Sequence, residues 1–236
     1  MDAPKSLADP AVRKARQAAL SGPHIAPLAA FVRRLRQAAG HAEGVPDFDP
    51  MDGGVRAECL FLLEAPGGRA VGSGFVSRNN PDETAKNFFL LNQEAGLSRA
   101  RTITWNVVPW YVGSGEKIRA VTDADIDASA SYLKELLGLL PALRAVVLVG
   151  RKAQRARPVF KRLAPHCALF ECPHPSPLSL NGRPERRAEI VQCMKAVAIQ
   201  LGVAANSTAQ PDARDEAARA AGRGRWTSYE RSHRMK

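Results

Sequence analysis

His174 stands between two prolines in the run Pro173-His174-Pro175-Ser176-Pro177-Leu178-Ser179. Proline locks its own φ near about −65° and restricts the residue before it, so an imidazole placed here is held by a stiff backbone. A histidine alone is more often a packing or surface residue. Fixed in this way, with Ser176 and Ser179 beside it, it is suited to donate a hydrogen bond toward negative charge as that charge develops. The two serines are short donors of the kind that grip phosphate oxygens. Leu178 is an apolar side chain on the same loop. Two other segments carry polar groups in unusual company. Asn106 lies late in the apolar-rich stretch 102–108, and its carboxamide offers one acceptor and a two-hydrogen donor. Glu64 opens the turn Glu64-Ala65-Pro66-Gly67-Gly68, directly after the apolar run 59–63.

These groups need elements to position them. A run apolar on both faces and closed by a turn, as at 59–63, suits a buried parallel strand. Further strands are expected at 102–108, 145–150 and 167–172, and helices at 25–39, 82–96, 123–140, 151–163 and 185–201. Gly40 is placed to stop the helix 25–39, and 41–56 reads as a loop. Strands alternating with helices predict a single-domain α/β, three-layer sandwich around a central four-stranded parallel sheet. Ligands of such sheets bind beyond the carboxyl ends of the strands. Three of the four ends read EAPGG, NVVPW and PHPSPLS, and those three are expected to meet.

The hexapeptide from His174 to Ser179 resembles the active-site loop of the uracil-DNA glycosylase superfamily, in the form its most widespread type carries. Glu64-Ala65-Pro66-Gly67 resembles the superfamily's other signature as found in its iron–sulfur-containing glycosylases, with Leu63 where that form has glycine. Phe75 falls where the superfamily places an aromatic platform for the base, and Asn106 where it keeps a uracil-reading asparagine. Thr84-Ala85-Lys86-Asn87-Phe88 resembles the helix start of the widespread type, which puts Thr84 and Lys86 near DNA. The resemblance covers roughly residues 59–201, in the right order.

What it implies is a monofunctional enzyme of base excision repair. It would flip uracil out of single- or double-stranded DNA and hydrolyse the N-glycosidic bond, because the reactive atoms are inaccessible in a stacked duplex. Phe75 then stacks on the extruded base. Asn106 accepts from uracil N3–H and donates to O4, whereas cytosine presents the opposite pattern. Ala65 and Gly67 border the base, and His174 donates to O2 as uracil leaves as an anion. Ser176 and Ser179 grip phosphates, and Leu178 wedges into the gap in the stack.

Departures from the family pattern matter equally. The widespread type orients the attacking water with an aspartate where this chain has Ala65, and excludes thymine with a tyrosine where it has Gly67. In Ser77-Arg78-Asn79-Asn80-Pro81, Asn80 is the first candidate to position water, with Glu64 second. Two other readings stay open: a glycosylase for other deaminated or mismatched bases, favoured by Gly67, and a low-turnover uracil-DNA binding protein, favoured by Ala65.

Composition bounds these readings. The 34 Lys+Arg against 23 Asp+Glu give a net charge of +11, which favours an anionic partner, nucleic acid first. Hydrophobic residues make up 45% of the 236, which excludes wholesale disorder and fits one sizeable domain. That domain is expected at 24–202, with a flexible leader at 1–23 holding a short helix at 11–20, and a basic, unstructured tail at 203–236. Cys59, Cys167, Cys172 and Cys193 form no C-x-x-C pair and read as buried thiols, so neither metal nor other cofactor is expected. No apolar run approaches the ~20 residues that span a bilayer. No signal peptide is visible, so the expectation is a cytoplasmic, nucleoid-associated monomer without membrane contact.

Overall fold

Asp9 starts the first helix. Its carboxylate accepts the Ala11 N–H at 2.8 Å, and Pro10 occupies the first turn, where its missing N–H costs nothing. The computed structural model describes residues 2–38, 44–114 and 117–202. The order is α1 (Pro10–Ala19), α2 (Ala26–Ala38), β1 (Asp47–Phe48), β2 (Cys59–Leu63), α3 (Gly68–Ser73), β3 (Phe75–Val76), α4 (Glu83–Glu94) and β4 (Thr102–Asn106). Then come β5 (Gly113–Ser114), β6 (Lys117–Ile118), α5 (Asp123–Gly138), β7 (Ala145–Val149), α6 (Arg151–Gln154), α7 (Arg157–Leu163), β8 (Ala168–Cys172), α8 (Pro177–Leu180) and α9 (Pro184–Gln200). Gly40 and the tail from 203 onward lie outside the described residues.

The central sheet has four strands in the order β4-β2-β7-β8, and every pairing is parallel. Alternate residues of β2 point to opposite faces, as a period of two requires. Leu60 and Leu62 join the core that α2, α5 and α7 cover, whereas Cys59 and Phe61 join the core under α4 and α9. All four are fully buried. The result is the expected three-layer α/β sandwich. Strand order reverses beside β2, the topological point where such sheets bind ligands.

Two expectations change. The helix expected over 151–163 is two helices, because Pro158 has no N–H to donate and its ring would clash with the carbonyl of Gln154 in a continuous helix. In the segment 1–23, expected to be flexible, residues 2–20 are docked. Leu7 is fully buried, and its N–H donates to the Asn79 carbonyl at 3.1 Å. Asn79 Nδ2 donates to the Ala3 carbonyl at 2.7 Å, and Arg16 of α1 ion-pairs with Asp49 in the interior. Leu7 and Arg16 are too few and too widely spaced to register as a periodic pattern. Among the described residues, no helix is long and apolar enough to cross a membrane.

Candidate active site

Parallel pairing brings Leu63 of β2 level with Asn106 of β4. The ladder continues past both strand ends, since Val107 N donates to Leu63 O at 2.8 Å and Val108 N to Glu64 O at 3.0 Å. The turn after β2 and the end of β4 are therefore fixed side by side. Beyond them opens a cavity of about 340 Å³. Ala65, Gly67, Asn80, Thr84, Asn106 and His174 all line it, so the three strand ends do meet.

His174 is held from several sides. It follows Cys172, whose carbonyl accepts from Gly150 N at 2.8 Å and from Gln154 Nε2 at 3.2 Å. Asn87 Nδ2 of α4 donates to the Pro175 carbonyl at 2.9 Å. A Cβ on Gly150 would lie 2.9 Å from His174 Cβ, and Gly150 has φ +86, so only glycine lets the loop approach β7 this closely. Burial lowers the His174 pKa, while the charges of Glu64 and Asp82 pull it upward. Burial thus favours the neutral imidazole, which has one N–H to donate.

Thr104 and Asn106 alternate on β4, so both face the cavity, while Ile103 and Trp105 between and beside them enter the core. Thr104 is 3% exposed and Asn106 2%. Among the described residues, Thr104 Oγ1 and Asn106 Nδ2 have no hydrogen-bond partner. Orphaned buried polar atoms are rare and costly in a folded protein, so a cavity that gathers them is built for a ligand that completes them.

Several anticipated residues are placed otherwise. Phe75 is 1% exposed on β3 and is not part of the cavity lining; Phe88 of α4 supplies the aromatic wall. Glu64 is not part of the cavity lining, and its carboxylate accepts from Val121 N at 3.1 Å. Asn80 reaches the cavity, but Ser73 Oγ donates to its Oδ1 at 2.6 Å and its Nδ2 donates to the Phe75 carbonyl at 2.9 Å, so it locks the turn after β3. Lys86 pairs at 3.5 Å with Glu83 outside the cavity. Asp82, not singled out in sequence, lines the cavity and caps α4, with one carboxylate oxygen accepting from Ala85 N at 2.8 Å.

On the far side of His174 a polar cleft of about 480 Å³ continues past Arg151, Ser176, Ser179, Arg183 and Arg186. Leu178 stands at its edge, 87% exposed. Among the described residues, no three or more His, Cys, Asp or Glu side chains are grouped to hold a metal ion.

Comparison with known proteins follows from this geometry. Residues 50–207, more than half of the chain, match the model of the family described as the Uracil DNA glycosylase superfamily. Among solved structures, the chain is similar to the solution NMR structure of "a putative Uracil DNA glycosylase from Methanosarcina acetivorans". That likeness has a TM-score of 0.42 and 18% identity, over 60% of this chain and 91% of the other. No curated protein matches the chain in sequence.

Proposed function

The chain belongs to the uracil DNA glycosylase superfamily, which supports a DNA glycosylase, and from that premise we propose that its substrate is uracil in DNA. The observation that carries this reading is one cavity lined by His174, beyond the end of β8, and by Asn106 with an unsatisfied amide donor. An extruded uracil offers two carbonyl oxygens and an N3–H between them. The Asn106 carboxamide pairs with N3–H and O4, and His174 donates to O2, where charge gathers as the glycosidic bond breaks.

Water must approach from the other side of the sugar. With Ala65 lacking a carboxylate, Glu64 bonded to Val121 N outside the lining and Asn80 committed, Asp82 is the acidic side chain on the cavity wall, and its second oxygen orients the water. The DNA strand runs through the cleft beyond His174, with Ser176, Ser179 and the nearby arginines on phosphates. Leu178, already exposed, fills the gap in the base stack. The enzyme works in base excision repair as a monomer.

The test is labelled DNA containing uracil, hypoxanthine, xanthine or mismatched thymine, incubated with enzyme and then treated with alkali. Strand cleavage at uracil only after alkali is expected, since hydrolysis leaves an intact abasic site. No base release, with a stable complex instead, would favour a binding protein.

Gly67 supports a second reading, in which bulkier bases also enter. It lies exposed at the cavity mouth with φ −80, and a Cβ there would meet nothing within 4 Å. Gly67→Tyr is therefore accommodated and narrows the entrance. Release of xanthine or mismatched thymine, if the wild type shows it, is expected to fall at least about tenfold, while uracil release changes little. Equal losses on every base would show that the ring closes the cavity altogether.

A further inference from the structure

One hydroxyl on the cavity wall has no role in that account. Thr104 is 3% exposed and lines the cavity two residues before Asn106, on the same face of β4. Its Oγ1 has no hydrogen-bond partner among the described residues. Thr102, the next threonine on that face, shows the contrast. Its Oγ1 accepts from Nη2 of the buried Arg78 at 2.8 Å and donates to the Arg99 carbonyl at 3.1 Å. That hydroxyl is spent on the fold; the one on Thr104 is not.

A strand rises about 3.3 Å per residue, so Thr104 lies roughly 7 Å below Asn106, counted from the carboxyl end of β4 where the cavity opens. A hydroxyl left unpaired at that depth costs stability unless a molecule entering the cavity completes it. There is room for such a molecule. An apolar cavity of roughly 150 Å³ holds benzene, a single six-membered ring. The cavity here has about 340 Å³, more than one ring requires.

We propose that Thr104 is a specificity-determining residue, which extends the substrates of this site to the bicyclic oxo bases that purine deamination leaves, hypoxanthine and xanthine. Both carry on their six-membered ring an N–H beside a carbonyl, the pattern uracil presents to Asn106. In a purine that edge lies one fused ring further from the sugar, and so deeper along the wall. The Thr104 hydroxyl both donates and accepts, so it takes the carbonyl or the N–H, with the Asn106 carboxamide above it. The bond that breaks is then N9–C1′. Its electron pair leaves with the base, and water supplies hydroxide to the sugar carbon and a proton to the base. Thr104 keeps its own proton throughout.

This inference rests on the reading of the site as a uracil-DNA glycosylase. It is tested with Thr104→Val, which replaces the hydroxyl by a methyl group of similar size, in single-turnover release of uracil, hypoxanthine and xanthine. Release of the two purines is expected to fall about three- to tenfold, the usual effect of losing one neutral hydrogen bond, while uracil release changes less than about twofold. The melting temperature is expected to hold or rise, because an unsatisfied buried polar atom has been removed. Thr104→Ser, which keeps the hydroxyl, is expected to retain the wild-type ratio of purine to uracil release. Equal losses on all three bases, or a lowered melting temperature without a change in that ratio, would make the hydroxyl structural and overturn the assignment. A wild-type protein that releases uracil but neither purine overturns it too, and leaves the glycosylase reading intact. If none of the three bases is released, it is the glycosylase reading that fails, and the role of Thr104 fails with it.

Discussion

Alanine at position 174 is expected to slow single-turnover uracil release by about 10²–10³, or roughly 2.7–4 kcal/mol, while DNA affinity falls far less. The loss is that of one preorganised donor facing the oxygen on which charge gathers. Loop and cleft explain the asymmetry. Ser176, Ser179, Leu178 and the arginines beyond them line the neighbouring cleft, and they remain after the imidazole is gone. Neutrality matters here as well. A neutral imidazole, the form that burial favours, donates to O2 without surrendering a proton it would have to recover. Rates and binding titrations at one fixed salt concentration decide the matter, because phosphate contacts make affinity strongly salt-dependent. Wild-type excision by His174→Ala would make the histidine structural and the mechanism wrong.

Asn106→Asp is expected to reduce uracil release by on the order of 10³, because the substitution keeps the side-chain volume but removes the donor that faces O4. Asn106 is 2% exposed on the cavity wall, and a base that fills the cavity leaves its O4 facing a side chain with no donor. A carboxylate there also meets the oxygen of the base with like polarity. Thermal melting and DNA affinity, measured alongside, separate a pocket effect from unfolding by a buried acid. Undiminished uracil release would move base reading to Thr104, the other unsatisfied side chain on that wall.

The architecture was legible because its strands are apolar and short. The runs at 59–63 and 145–150 needed burial on both faces, and both became central strands, at Cys59–Leu63 and Ala145–Val149. His174 and Asn106 were legible for the same reason: a polar group at the end of such a strand has no place but the crevice beyond it. What escaped depends on long-range placement. β1 and β3 have two residues each and exist only because Asp47-Phe48 finds Phe75-Val76 across the fold. Phe75 looks like a platform in one dimension, but Phe88, one face of α4, reaches the cavity instead. Thr104 was within reach, since period-two alternation puts it on the same side as Asn106. Arg78 was not: sequence separates a buried arginine from a solvated one only when its paired carboxylates are known.

The docking of residues 2–20 sets a schedule for folding. A chain made from its N-terminus completes Ala3 and Leu7 well before Asn79, their hydrogen-bond partner, has been added. The Ala3–Asn79 hydrogen bond spans 76 residues, so the wall that carries Arg78 and Asn80 is a non-local closure, reached after the local helices and with a large loop entropy to overcome. The cavity wall at residues 78–80 is thus expected to close only after those long-range contacts form, and a chain opened at its N-terminal segment lacks the clamp that seats it. Any extension fused ahead of Asp2, which pairs with Arg99, sits against that clamp rather than at an idle end of the protein.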